Sequence, residues 1–161
     1  MFLQYFKIKR KNHQKQTLSI YQDIVNHSNH FINNSLNNKH FNFDEIFEIF
    51  SIITVFYLKK LKDRKTQKSK EVSQIIINNF IKDLDINFRE KGIGDMSIGK
   101  YVKKYVKKFY YRLKILDEIL KEDTNINFND YLQKFGIVKH GNHQKITDDL
   151  NLLYNDILID K

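Results

Sequence analysis

The run Gly94-Asp95-Met96-Ser97-Ile98-Gly99-Lys100 meets the GxxxxGK half of a phosphate-binding loop, in which backbone amides cradle phosphate oxygens and a lysine reaches toward them. The match stops at Tyr101, where a Ser or Thr hydroxyl should hold Mg²⁺. The residues ahead of it are helix-patterned, whereas such a loop follows a strand. Asp23, His27 and His30 stand at helical steps of four and three, so their side chains could converge on a metal ion. No further ligand is in view, and they read as solvent-facing polar residues. His140 and His143 flank Gly141 in a loop pattern. No Ser–His pair has an orienting acid, and no carboxylate dyad can be nominated. No catalytic residue, metal or cofactor is therefore expected.

The residues around those glycines are held by two helical patterns. Val72, Ile76, Phe80, Ile81, Leu84 and Phe88 form the apolar stripe of one. Gly92 follows its last periodic residue, where a left-handed residue ends a helix, and Asp95 or Ser97 is placed to cap the next. The second stripe runs through Ile98, Tyr101, Val102, Tyr105, Val106, Phe109, Leu113, Leu116 and Leu120. Gly99 is expected to admit a neighbouring helix closely. Asp85 and Arg89, four residues apart, can pair, and with Asp83, Glu90 and Asp95 they are expected to form a partly buried polar set that fixes the turn.

Lys100, Lys103, Lys104, Lys107, Lys108, Arg112 and Lys114 punctuate the second stripe with no acid before Asp117. Cations in the first turn oppose the helix dipole, so the layout does little for helix stability. Tyr105, Tyr110 and Tyr111 lie among the lysines and could pack on a partner or stack on bases. A partner-binding face is expected from Lys100, Lys103, Lys104, Lys107, Lys108 and Arg112. Asp85, Arg89, Glu90, Gly92, Gly94, Asp95 and Ser97 would shape its support.

The sequence from Asp83 to Lys100, DLDINFREKGIGDMSIGK, followed by a basic, aromatic helix ending Phe109-Tyr110-Tyr111-Arg112, resembles the signature of the ubiquinol-cytochrome c chaperone family. Tyr21, Ile24 and Val25 are similar to its opening helix. The resemblance implies a helical assembly factor for the cytochrome bc1 complex. It implies cytochrome b or another assembly component as partner, and a cytoplasmic place peripheral to the inner membrane, or the matrix side in mitochondria. In the mitochondrial members it also implies work near the ribosomal exit tunnel.

The remaining chain is read as support. Thr17 or Ser19 is placed to cap a helix with Leu18, Tyr21, Ile24, Val25, Ile32 and Leu36 on one face, and the Asn-rich interval 33–42 reads as a connection. A second helix over 43–62, capped by Asp44, is apolar on more than half of its circumference and so should be central. Residues 59–70 read as a basic link, with Ser69 capping the helix beyond it. A short helix around Tyr131, Leu132 and Phe135 and a last one over 146–159 complete a single all-α domain of about six helices, 17–161, behind a basic and aromatic arm, 1–16.

Composition adds bounds. There are 161 residues, 41% hydrophobic, with no Cys, no Pro and no apolar run near twenty, so neither a disulfide nor a membrane-spanning helix is expected. The order of the first residues, apolar before basic, is not that of a secretory signal. The net charge of +9 favours an acidic partner: RNA or a ribosome, anionic lipid at a membrane surface, or an acidic protein. A small basic RNA-binding protein is the alternative function that charge alone suggests.

Overall fold

A computed structural model describes residues 15–35, 41–121, 128–135 and 143–159. It is all-α, with six helices: α1 Lys15–Ser35, α2 Phe43–Asp63, α3 Gln67–Glu90, α4 Asp95–Ile119, α5 Asn129–Lys134 and α6 His143–Ile159. No strand occurs among the described residues. Residues 1–14 of the basic arm, Leu36, and His140 and Gly141 lie outside the described residues.

The second helix is the hub, as its apolar circumference implies. An unbroken run from Phe47 to Leu58 is buried, covered by α1, α3, α4 and α6. Its start is fixed by Asn42, not Asp44. The Asn42 side chain accepts the Glu45 amide at 3.0 Å while the Glu45 carboxylate accepts the Asn42 amide at 2.9 Å, a reciprocal cap that satisfies two otherwise orphaned donors. Asp44 is thereby released for the site below. The expected link over 59–70 is mostly helix: α2 continues to Asp63 and α3 starts at Gln67, with Lys65 at φ 50 in the tight turn between them. Thr66 is the cap of α3, and Ser69 is its reciprocal partner three residues on. The first helix begins at Lys15, which puts Thr17 and Ser19 inside it, and it runs through the start of the Asn-rich interval to Ser35. The last begins at His143, three residues earlier than its apolar stripe indicates.

Aromatic rings fill the space where α2, α3 and α4 meet. Phe80 and Phe109 are 4.7 Å apart between centroids, Phe47 and Tyr105 5.0 Å, and Phe43 and Phe88 5.0 Å. Edge-to-face and offset pairs of this kind add to the area they bury. A second group, Phe56, Phe128 and Tyr154, ties α2 to the C-terminal helices.

Candidate functional site

The α3–α4 hairpin turns as its glycines require. Gly92 has φ +81, its amide donates to the Arg89 carbonyl at 2.9 Å, and the Ile93 amide donates to Phe88 at 3.1 Å. These are the two bonds of a Schellman motif, and half-buried Ile93 adds its apolar contact to the core. Gly94 itself is the residue that precedes α4, without a side-chain cap, so neither Asp95 nor Ser97 performs the capping role. Gly99 is exposed and nothing would meet a Cβ there within 4 Å, so it does not serve helix approach.

The polar set at the turn lies in solvent. Arg89 donates to Asp85 through Nε at 2.7 Å and to Asp95 through Nη1, joining the end of α3 to the start of α4, but all three side chains are substantially exposed. Glu90 and Ser97 are exposed as well. Asp83 has gone elsewhere. It is buried and accepts a 2.6 Å bond from the Tyr21 hydroxyl of α1. Burial pushes its carboxyl up to about 6, against the lowering effect of that hydrogen bond. Tyr21 is raised well above its ordinary value by its own burial and by the carboxylate beside it.

On α4 the cations divide. Lys100, Lys103, Lys104 and Lys107 are exposed on the outer face, and none makes an ion pair with an acid among the described residues. Met96 is fully exposed and Tyr101, Tyr110 and Tyr111 are partly so, with Tyr101 packed against Phe88 of α3 and Tyr111 edge-on to Phe135. Lys108 reaches sideways to the exposed Asp44 of α2, 2.7 Å away, and lies 4.7 Å over the Tyr105 ring. Tyr105 donates to the same Asp44 oxygen at 2.9 Å. Partial burial alone would raise Asp44, but the bonds from Lys108 and Tyr105 outweigh it and hold its pKa below the ordinary range.

Arg112 does not belong to the exposed face. It is 8% exposed and forms a two-pronged pair with Glu48 of α2, itself 3% exposed, with both N–O distances 2.7 Å. Its guanidinium lies 3.4 Å over the Phe135 ring, and the Tyr131 hydroxyl donates to Glu48 at 3.4 Å. Burial would lower Arg112's pKa, yet the bonds to Glu48 more than compensate and keep it charged. Periodicity already puts position 112 between Phe109 and Leu116, on the inner face. The partner, Glu48, was legible as the one acid inside the apolar run IFEIFSII, since a buried charge must be paired.

Of the suggested metal ligands, His27 Nδ1 is 2.7 Å from the Tyr57 hydroxyl and His30 contacts Asn34. Among the described residues no group of three or more His, Asp or Glu could hold a metal, and no helix is long and apolar enough to cross a membrane.

The buried charges Glu48 and Arg112 are thus committed to each other, while Lys100, Lys103, Lys104 and Lys107 of α4 face outward. The chain belongs to the ubiquinol-cytochrome C chaperone family, whose match covers residues 38–126, more than half of its length. That span contains the hub helix, the glycine turn and the whole basic helix. No curated protein and no solved structure matches the chain.

Proposed function

We propose that this protein assists assembly of the ubiquinol–cytochrome c reductase complex by holding newly made cytochrome b, or an assembly component beside it, on the outer flank of α4. Family membership supports the assembly role. The observation that carries the binding surface is the outward row Lys100, Lys103, Lys104 and Lys107, which makes no ion pair among the described residues, whereas Lys108 is paired with Asp44 and Arg112 with the buried Glu48. Such a row attracts an acidic surface over roughly a Debye length, about 8 Å at physiological salt. Holding a client requires complementary surface and no bond-making step. Contact at the membrane periphery fits the same flank, because tyrosines and lysines together suit the polar boundary of a bilayer.

The test is deletion of the gene followed by complementation. Wild-type protein should restore cytochrome b accumulation, and a variant with Lys100, Lys103, Lys104 and Lys107 changed to Glu should fold normally yet fail to restore it. Normal cytochrome b in the deletion strain would remove the assembly role, and full rescue by the variant would remove the surface. The exposed tyrosines among the lysines also favour a second reading, contact with RNA or the ribosome. Counterion release then requires RNA affinity to fall steeply with salt, and absence of RNA binding at low salt would exclude it.

A further inference from the structure

A slot of about 480 Å³ opens between α3 and α4 above the last turns of α2, away from the glycine turn. Its volume is within the range of small-molecule sites, roughly 300–1,000 Å³. The floor is apolar: Val55, Leu58 and Leu61 of α2, flanked by Ile77 of α3 and Leu113 of α4. The mouth is cationic, with Lys59, Lys62, Lys65, Lys70 and Lys114 against a single lining acid, Asp117. Asp117 is taken by Lys62 at 2.9 Å, and Lys59 pairs with Asp63 at 3.1 Å. Lys65, Lys70 and Lys114 have no carboxylate partner among the described residues.

Volume and charge select the occupant. Val55, Leu58 and Leu61 are only 2%, 7% and 5% exposed, so the apolar surface open to an occupant is chiefly that of half-buried Ile77 and Leu113 on the walls. A space of about 480 Å³ admits one acyl chain but not a helix, which is about 10–12 Å across with its side chains. A two-chain lipid would leave one chain outside. The Ser69 and Ser73 hydroxyls on the wall already donate to the Thr66 and Ser69 carbonyls, which leaves the lysines to recognise the head. Lysine stems can lie along the apolar wall while the ammonium groups stay at the mouth.

We infer that the slot is a binding site for a long-chain carboxylate, its single acyl chain lying against Ile77, Leu113 and Tyr110 and its head group among Lys65, Lys70 and Lys114. Tyr110 and Lys114 of the slot continue the line of Lys103 and Lys107 along α4, so the site adjoins the outer lysine row, but it does not depend on the identity of the client.

The probe is oleate, titrated calorimetrically into the full-length protein below the concentration at which oleate aggregates. Two variants accompany the wild type: Lys70→Glu with Lys114→Glu reverses charge at the mouth, and Ile77→Phe fills the slot without changing charge. The expected result is one equivalent bound, weakened at least about tenfold by the charge reversal and also by the filling, with unchanged melting temperatures. An alkyl trimethylammonium of matched length should bind far more weakly than oleate. Absence of oleate binding, equal binding of the cationic amphiphile, or oleate binding retained in both variants would each overturn the assignment. So would capture of an acidic amphipathic peptide, blocked by Ile77→Phe, by a protein that ignores oleate; the slot would then receive a side chain from a protein partner.

Discussion

The pair Glu48–Arg112 gives the sharpest test, because truncating a buried, paired cation costs several times more than truncating a surface one. Both residues are almost wholly shielded and joined through two 2.7 Å contacts, with Phe135 stacked on the guanidinium. Removing one member leaves the other charged and buried, a loss of about 3–5 kcal/mol. Replacing both with apolar residues of similar size should be close to neutral. For a domain of this length each kcal/mol moves the melting temperature by roughly 2–4 °C, so Glu48→Leu or Arg112→Met alone should lower it by about 6–20 °C. The double variant should recover most of that loss. Urea denaturation of the four proteins in a double-mutant cycle supplies the coupling energy. Single losses below about 1 kcal/mol, the scale of a surface pair, or additive effects in the double variant, would show that Arg112 is a solvated cation and would return it to the binding face.

Three further outcomes follow from the same geometry. Because Asp83 is raised from its ordinary 3.8 to about 6, the folded protein binds its proton more tightly than the unfolded chain does; this contribution is full below about pH 4, is lost as pH rises through 6, and approaches 3 kcal/mol. Asp83→Asn should therefore match the wild type in melting temperature near pH 4 and exceed it at pH 7.5; equal values at both pHs would refute the shift. Gly92→Ala should destabilise by about 1–2 kcal/mol through φ alone, whereas Gly99→Ala should stabilise by about 1 kcal/mol, and equilibrium denaturation distinguishes the two. Arg89→Ala, which opens only exposed pairs, should leave the melting curve nearly where it is, and a large drop would mean that the turn depends on this side chain.

The helical repeats were readable because each buried stripe keeps a period of three and four: Ile76, Phe80, Leu84 and Phe88 on α3, and Tyr105, Phe109 and Leu116 on α4, all face the core. The Gly92 turn was readable because few residues tolerate its backbone. Caps were placed less well. Asn42 and Asp44, or Thr66 and Ser69, are equally able acceptors, and the choice depends on which one has an extended backbone when the helix starts. Charge was the least legible. A string of lysines along α4 carries no sign of which will find an acid, because Asp44 and Glu48 are more than sixty positions away and are brought to Lys108 and Arg112 only by the packing of α2 on α4. Asp83 was assigned to the turn by proximity in the chain, but its distant partner Tyr21 draws it into the interior.

The hub helix carries a further implication for the protein's own biogenesis. Synthesis delivers Phe47–Leu58 well before the segments that enclose it; roughly 56 residues separate Asp63 from Ile119, or ~3–11 s at ~5–20 residues per second. Throughout that interval a strip rich in Phe and Ile waits in water with only α1 and the growing α3 to shelter it. A member of a chaperone family thus passes through a greasy, incompletely wrapped stage of its own, and slowing translation after α3 should increase its aggregation.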